Sequence, residues 1–180
     1  GRGDSSVVAA VFVDADGGLW LHRVAYLQVD EAAGLDPASQ QCHEVARLAA
    51  HLHLPSITIE TNGIGAFLPG LLRQALARAR LGISVQSANA RQNKDQRILQ
   101  ALEVPLAARL LHAHRSVLET PFRREMREWR PGVNQRDDGL DAVAGAIAAT
   151  PVRLSTQPPA PRTADWRGRG VVQANTDFSI

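Results

Sequence analysis

Apolar residues fall along this chain in two alternating patterns, short continuous runs and runs at helical spacing, with glycine or proline between them. Ser6 to Val13 (SVVAAVFV) is a compact β-branched run, followed by Asp14-Ala15-Asp16-Gly17-Gly18 and then by LWLHRVAYL. The pair predicts two strands joined by a Gly-rich turn. Asp14 and Asp16 read as turn formers, with a catalytic role as the alternative. From Asp36-Pro37 to His53, apolar residues recur at Val45, Leu48, Ala49 and Leu52, one face of a helix that Pro55 closes. SITIE, Ser56 to Glu60, predicts a strand, and TNGIGAFLPG a Gly-rich turn leading into a helix from Leu68 to Arg80. Ile83 to Gln86 predicts a further short strand. Strand, helix, strand, helix, strand implies an α/β fold with parallel pairing through crossover helices.

Beyond that point Asn93 to Arg109 predicts a helix with Pro105 as its break or end, and Leu110 to His112 a short strand. PFRREMREW, Pro121 to Trp129, reads as a charged amphipathic helix. RDDGLDAVAGAIAAT, residues 136 to 150, opens with Asp137, Asp138 and Asp141 and then runs apolar from Ala142 to Ala148, apart from Gly145. After Thr150-Pro151 the character changes. Arg153, Arg162, Arg167 and Arg169 outnumber Asp165 and Asp177 among prolines and glycines, so residues 151 to 180 read as an extended or disordered basic tail behind a domain of residues 1 to 150. There is no internal repeat.

Composition narrows this picture a little. A 180-residue chain that is 44% hydrophobic can bury one core. It has no apolar run long enough to span a bilayer and no basic-then-apolar leader, which points to a cytoplasmic protein without membrane contact. Cys42, the single cysteine, excludes an intrachain disulfide and a multi-cysteine zinc site. Net charge is +2, and of the 20 basic residues only Lys94 is not arginine. A surface of forked, permanently charged guanidinium groups suits nucleic acid, but a GC-rich coding sequence gives the same composition.

The carboxylates carry more information. Glu60 falls at the C-terminal end of a strand, the edge of an α/β sheet where ligands bind, and Gly63 and Gly65 follow it. Read alone it is equally a solvated strand end. Asp138 and Asp141 are three apart and neighbours on one helical face, while Asp137 points elsewhere and reads as the cap. Acids in a first turn also favour the helix dipole, which covers one or two of the three. Asp141 lies near the apolar face, where a carboxylate is costly unless it is paired or bound to metal. If Glu60, Asp138 and Asp141 converge, their repulsion calls for a divalent cation, and all-oxygen ligation selects Mg²⁺ or Mn²⁺. Two such ions would support in-line phosphodiester hydrolysis. Lys94 and Arg97, one turn apart on the helix of NKDQRI, form either a solvated face or a contact to substrate phosphate or to an active-site acid.

GRGDSSVVAAVFVDADGGLWL, ITIETNGIGAFLPGLL, NKDQRI and RDDGLDAVAGAIA, in that order over most of residues 1 to 150, resemble the C-terminal nuclease domain of the large terminase subunit of tailed bacteriophages. The resemblance implies an RNase H-like fold, a mixed central β-sheet flanked by α-helices, with a Mg²⁺- or Mn²⁺-dependent DNA endonuclease site that holds two ions when complete. By position, Glu60 would be the acid of the central strand, Asp138 and Asp141 the helix acids with Asp138 nearer the metals, and Asp4 an aspartate assisting from the rim. The family's first strand carries a further catalytic aspartate ahead of the GRGD-like stretch. As the chain begins at Gly1, the expectation is that this strand precedes the given sequence, with Asp4 in the role as the alternative.

The expected activity is hydrolysis of concatemeric duplex DNA, with Lys94, Arg97, Arg91 and Arg136 holding the backbone, joined by Arg123 and Arg124. No G-x-x-x-x-G-K-[ST] motif occurs, so cutting should not need ATP. In a full motor the resemblance implies an ATPase domain, a small terminase subunit and a portal protein as partners, in the host cell cytoplasm, with the isolated domain a monomer. The competing readings are a resolvase- or transposase-type RNase H-like nuclease, and a non-catalytic DNA-binding or docking module.

Overall fold

The computed structural model describes residues 6–61, 66–89, 92–149 and 151–154. In chain order the elements are β1 (Val7–Val13), β2 (Leu19–Tyr26), α1 (Pro37–His51), β3 (Ser56–Glu60), α2 (Leu68–Arg78), β4 (Ser84–Ala88), α3 (Lys94–Ala107), β5 (Leu111–Ala113), α4 (Arg115–Leu118), α5 (Phe122–Glu128), α6 (Asp138–Ala148) and β6 (Val152–Arg153). The fold is mixed α/β. Asp4 and Arg91 lie outside the described residues, as do Gly63, Gly65 and residues 155–180.

β1 and β2 pair antiparallel, with the register shifting between Ala10 and Val11. Their turn is built by one carboxylate: Asp14 Oδ1 accepts from the N–H groups of Asp16 and Gly18 at 3.0 and 2.7 Å, and Oδ2 accepts from Trp20 Nε1 at 2.7 Å. These bonds hold the Asp14 carboxyl below the usual range, the Trp20 bond contributing most. Asp14 is thus a turn former. β5 joins β2 in parallel and β6 joins β1 in parallel, giving a four-stranded mixed sheet in the order β5-β2-β1-β6. Val152 and Arg153, which the sequence places in the tail, are part of this sheet.

β3 and β4 pair in parallel through the α2 crossover, but as a separate two-stranded sheet. The central mixed sheet that the resemblance implies is thus two sheets among the described residues. Each has its own apolar cover. Leu72, Leu76 and Ala75 of α2 pack with Cys42 and Ala46 of α1 against Ile57, Ile59 and Val85. Over the larger sheet, Ile98 and Leu102 of α3 and Leu140, Val143 and Ala144 of α6 pack on Val11, Leu19, Leu21 and Val24, with Val117 and Phe122 closing the end. Val143 and Ala144 are wholly buried, and the small side chains of α6 let α3 and β1 come close on either side. No helix among the described residues is long and apolar enough to cross a membrane.

Three helix-to-strand joints share one geometry. α1, α2 and α3 are each followed by a left-handed residue that is not glycine: His53 at φ 52°, Arg80 at 55° and Arg109 at 57°. At each joint the next residue's N–H reaches back to a helix carbonyl, Leu54 to Ala49, Leu81 to Leu76 and Leu110 to Pro105, within 2.8–2.9 Å. Pro105 does not break α3. It is the third residue from the helix end, two before Ala107, and its missing N–H removes a single bond.

Candidate active site

Glu60 stands at the last position of β3, where Thr61 donates its N–H to the Ala88 carbonyl at 3.0 Å and its hydroxyl to Asn89 Oδ1 at 2.8 Å. Those bonds tie the strand end to β4. α3 starts at Asn93, whose side chain accepts the Asp95 N–H at 2.9 Å as a cap. Asp95 in turn accepts the Gly132 N–H at 2.6 Å and ties the start of α3 to the loop that leads into α6. Because α3 packs along α6, Lys94 and Arg97 on its first turn come against the acids that open α6.

The result is two ion-paired clusters. Arg97 donates from Nε and Nη2 to Asp141 Oδ1 at 2.9 and 2.5 Å, and its Nη2 lies 3.3 Å from Glu60 Oε2. Lys94 Nζ lies 2.6 Å from Asp137 Oδ1 and 3.5 Å from Asp138 Oδ1. Burial by itself would push both cations toward deprotonation. It is outweighed, for Lys94 by the bond and charge of Asp137 with Asp141 and Asp138 behind it, and for Arg97 by Asp141 and then Glu60, so both are raised.

Glu60 belongs to the smaller core and Asp141 to the larger, so Arg97, only 14% exposed, joins the two across their seam. Of the sequence-derived site residues, Glu60 and Asp141 meet on Arg97, while Asp138 sits with Asp137 on Lys94. The three acids do not converge as one ligand set: among the described residues, no group of three His, Cys, Asp or Glu side chains is arranged to hold a metal ion. Two cations of the chain divide the carboxylates into pairs. Lys94 and Arg97, expected on DNA phosphates, are ion-paired with the candidate acids instead, one of the alternatives their position left open. Asp137 does occupy the N-cap position, yet its side chain makes no capping bond and goes to Lys94 instead. Arg136 is exposed just before α6.

Two residues that sequence reading passed over stand behind this cluster. Glu125 of α5 is 5% exposed and accepts from Tyr26 Oη at 2.8 Å and from the Leu140 N–H of α6 at 3.1 Å. Burial, and then the Glu125 carboxylate, raise the Tyr26 phenol far above its ordinary value, so it stays a donor. The one signal in the sequence was Gly139, a helix-disfavouring residue inside DDGLD. Against the structure its reason is plain: a Cβ there would lie 2.2 Å from Tyr26 Oη and 2.7 Å from Glu125 Oε2.

The chain matches no protein-family model, and no curated protein matches it.

Proposed function

We propose that this protein is a Mg²⁺- or Mn²⁺-dependent endonuclease domain of the terminase type, RNase H-like in fold, that hydrolyses phosphodiester bonds of duplex DNA. The supporting observation is the meeting of Glu60, from the end of a parallel strand, with Asp141 on Arg97, beside Asp137 and Asp138 on Lys94. Four carboxylates brought from two cores to one seam are expensive to assemble unless cations belong there.

The donor chemistry fits a hard divalent ion, since Glu60, Asp138 and Asp141 offer only oxygen, and an ion there would compete with Lys94 and Arg97 for these acids. These three residues would hold the ion, with Arg97 turning away from between Glu60 and Asp141. When bound, such an ion supplies Lewis-acid polarisation of the phosphodiester and a more acidic water. The chain's own residues supply charge and position. Lys94 and Arg97 keep the acids compensated while DNA is absent, and both suit phosphate once it arrives, Arg97 as a planar fork and Lys94 as a point charge. Arg136 and Arg91 are the further backbone contacts in this reading, and Asp4 an additional acid at the rim. In a complete motor the domain would work beside an ATPase domain, a small terminase subunit and a portal protein.

Glu60→Ala and Asp138→Ala are each expected to abolish Mn²⁺-dependent nicking of supercoiled plasmid while the far-ultraviolet circular dichroism is unchanged; full activity in both variants would sink the proposal. The ion pairing itself favours a second reading, a non-catalytic DNA-binding or docking module in which Lys94 and Arg97 are the permanent partners of these acids. That module predicts no rise in melting temperature with Mn²⁺, whereas an ion that binds only the native state must raise it.

A further inference from the structure

Helix α6 is capped in an unusual way. An N-cap aspartate ordinarily folds its carboxylate back onto the N–H of the second or third helical residue. Asp137 holds that position and does not do so; its carboxylate is 2.6 Å from Lys94 Nζ. The N–H it would have capped, that of Leu140, is taken at 3.1 Å by Glu125 from a different helix. Glu125 makes no ion pair among the described residues although its own helix carries Arg123, Arg124 and Arg127. Its second oxygen accepts from Tyr26 Oη at 2.8 Å, which fixes the carboxylate in orientation from β2. Gly139 leaves the space in which this contact closes.

We propose that Glu125, oriented by Tyr26, is the positioning residue of the acid cluster: by capping α6 from outside the helix it releases Asp137 to Lys94 and holds Asp138 and Asp141 toward the seam. Glu125 does not touch the reacting groups. Without it, Asp137, which holds the N-cap position, is the carboxylate placed to cap Leu140, and in swinging back it gives up its contact with Lys94. The inference rests on the metal-nuclease reading only in taking Asp138 and Asp141 as the acids that matter.

The test uses the full chain with Glu125→Ala, Glu125→Gln and Tyr26→Phe, read by amide exchange at Leu140, by Mn²⁺ titration followed through paramagnetic broadening, and by plasmid nicking. Glutamine keeps an oxygen for the Leu140 N–H and an amide for the Tyr26 oxygen, so it should rescue. Glu125→Ala is expected to speed Leu140 exchange and to weaken Mn²⁺ binding by about tenfold or more, the scale at which outer partners of metal ligands act, with Glu125→Gln within about threefold of the parent. Tyr26→Phe should fall between them. Parental Mn²⁺ affinity in Glu125→Ala, despite faster exchange at Leu140, would reduce Glu125 to an ordinary cap and overturn the proposal. Should Glu125→Ala fail to fold, parental affinity in Tyr26→Phe overturns it equally. Parental Mn²⁺ binding in both Glu60→Ala and Asp138→Ala marks the separate failure of the nuclease reading, whatever Glu125 does.

Discussion

The two cores deliver their acids in different ways. On the larger side, α6 is fixed along its length: Leu140, Val143 and Ala144 are sealed against α3 and β1, and the first turn is gripped by Glu125 and Tyr26. On the smaller side, Glu60 ends a five-residue strand whose side chains are half-buried at best, and 45% of its own side chain is exposed. One partner is held by packing in three dimensions and the other by the hydrogen bonds of a strand end. If the seam opens to admit an ion or a phosphate, as the proposed function requires, its more firmly packed half is α6 and its less packed half β3, with Arg97 as the link.

The largest effects should come from the cores themselves. Leu140→Ala and Leu72→Ala each remove a fully buried leucine, one from each side, and each should cost about 2–5 kcal/mol in denaturant unfolding. Hydrogen exchange separates them: Leu72→Ala should speed exchange in β3 and β4 while β1 and β2 stay slow, and equal acceleration in both sheets would mean that the two cores unfold as one. Next is Gly139→Ala, expected to lose about 1–3 kcal/mol because the added methyl meets Tyr26 Oη and Glu125. Tyr26→Phe removes the closer of those atoms and should recover part of the loss in the double variant. If Gly139→Ala is as stable as the parent, the grip on α6 is looser than its geometry.

Much of this contrast was legible in the sequence. SITIE gave its strand with Glu60 at the end, and DDGLDAVAGAIA gave a helix that is polar at its start and buried beyond, because both signals are local periodicities. The pairing of Lys94 and Arg97 with acids was one of three outcomes that spacing left open, beside a solvated face and a contact to phosphate, since it depends on α3 lying against α6. The separation of β3–β4 from the larger sheet was not legible: parallel order shows which strands cross over, but not which edges hydrogen-bond. Glu125 was hidden for a related reason. In PFRREMREW it looks like one more charge on a solvated helix, and only contacts to residues 15 and 99 positions away make it a buried cap.

Smaller effects sharpen the seam. Arg97→Met should cost about 1–3 kcal/mol by leaving Asp141 and Glu60 without their shared donor. The same change should enlarge the rise in melting temperature with Mn²⁺, because the ion no longer competes with a guanidinium; a smaller rise would mean that Arg97 assists binding. The Lys94 ammonium is raised above its ordinary 10.5, so its pairing is fully present below that pH and lost as pH climbs through the raised value. Unfolding at pH 8 and pH 11 should then show a loss in the parent that Lys94→Met lacks, under about 1 kcal/mol for a group this exposed.

The left-handed residues after α1, α2 and α3 bear on how far this fold could be hardened. His53, Arg80 and Arg109 hold a backbone shape that disfavours any side chain by about 1–2 kcal/mol, in places where glycine is the common solution. All three are exposed at a helix C-terminus, where the positive charge of Arg80 and Arg109 suits the helix dipole. Part of the chain's arginine richness is thus spent on joints rather than on a nucleic-acid surface. An engineer wanting a tougher scaffold could begin with glycine at these three hinges, far from the seam, and leave the acid chemistry untouched.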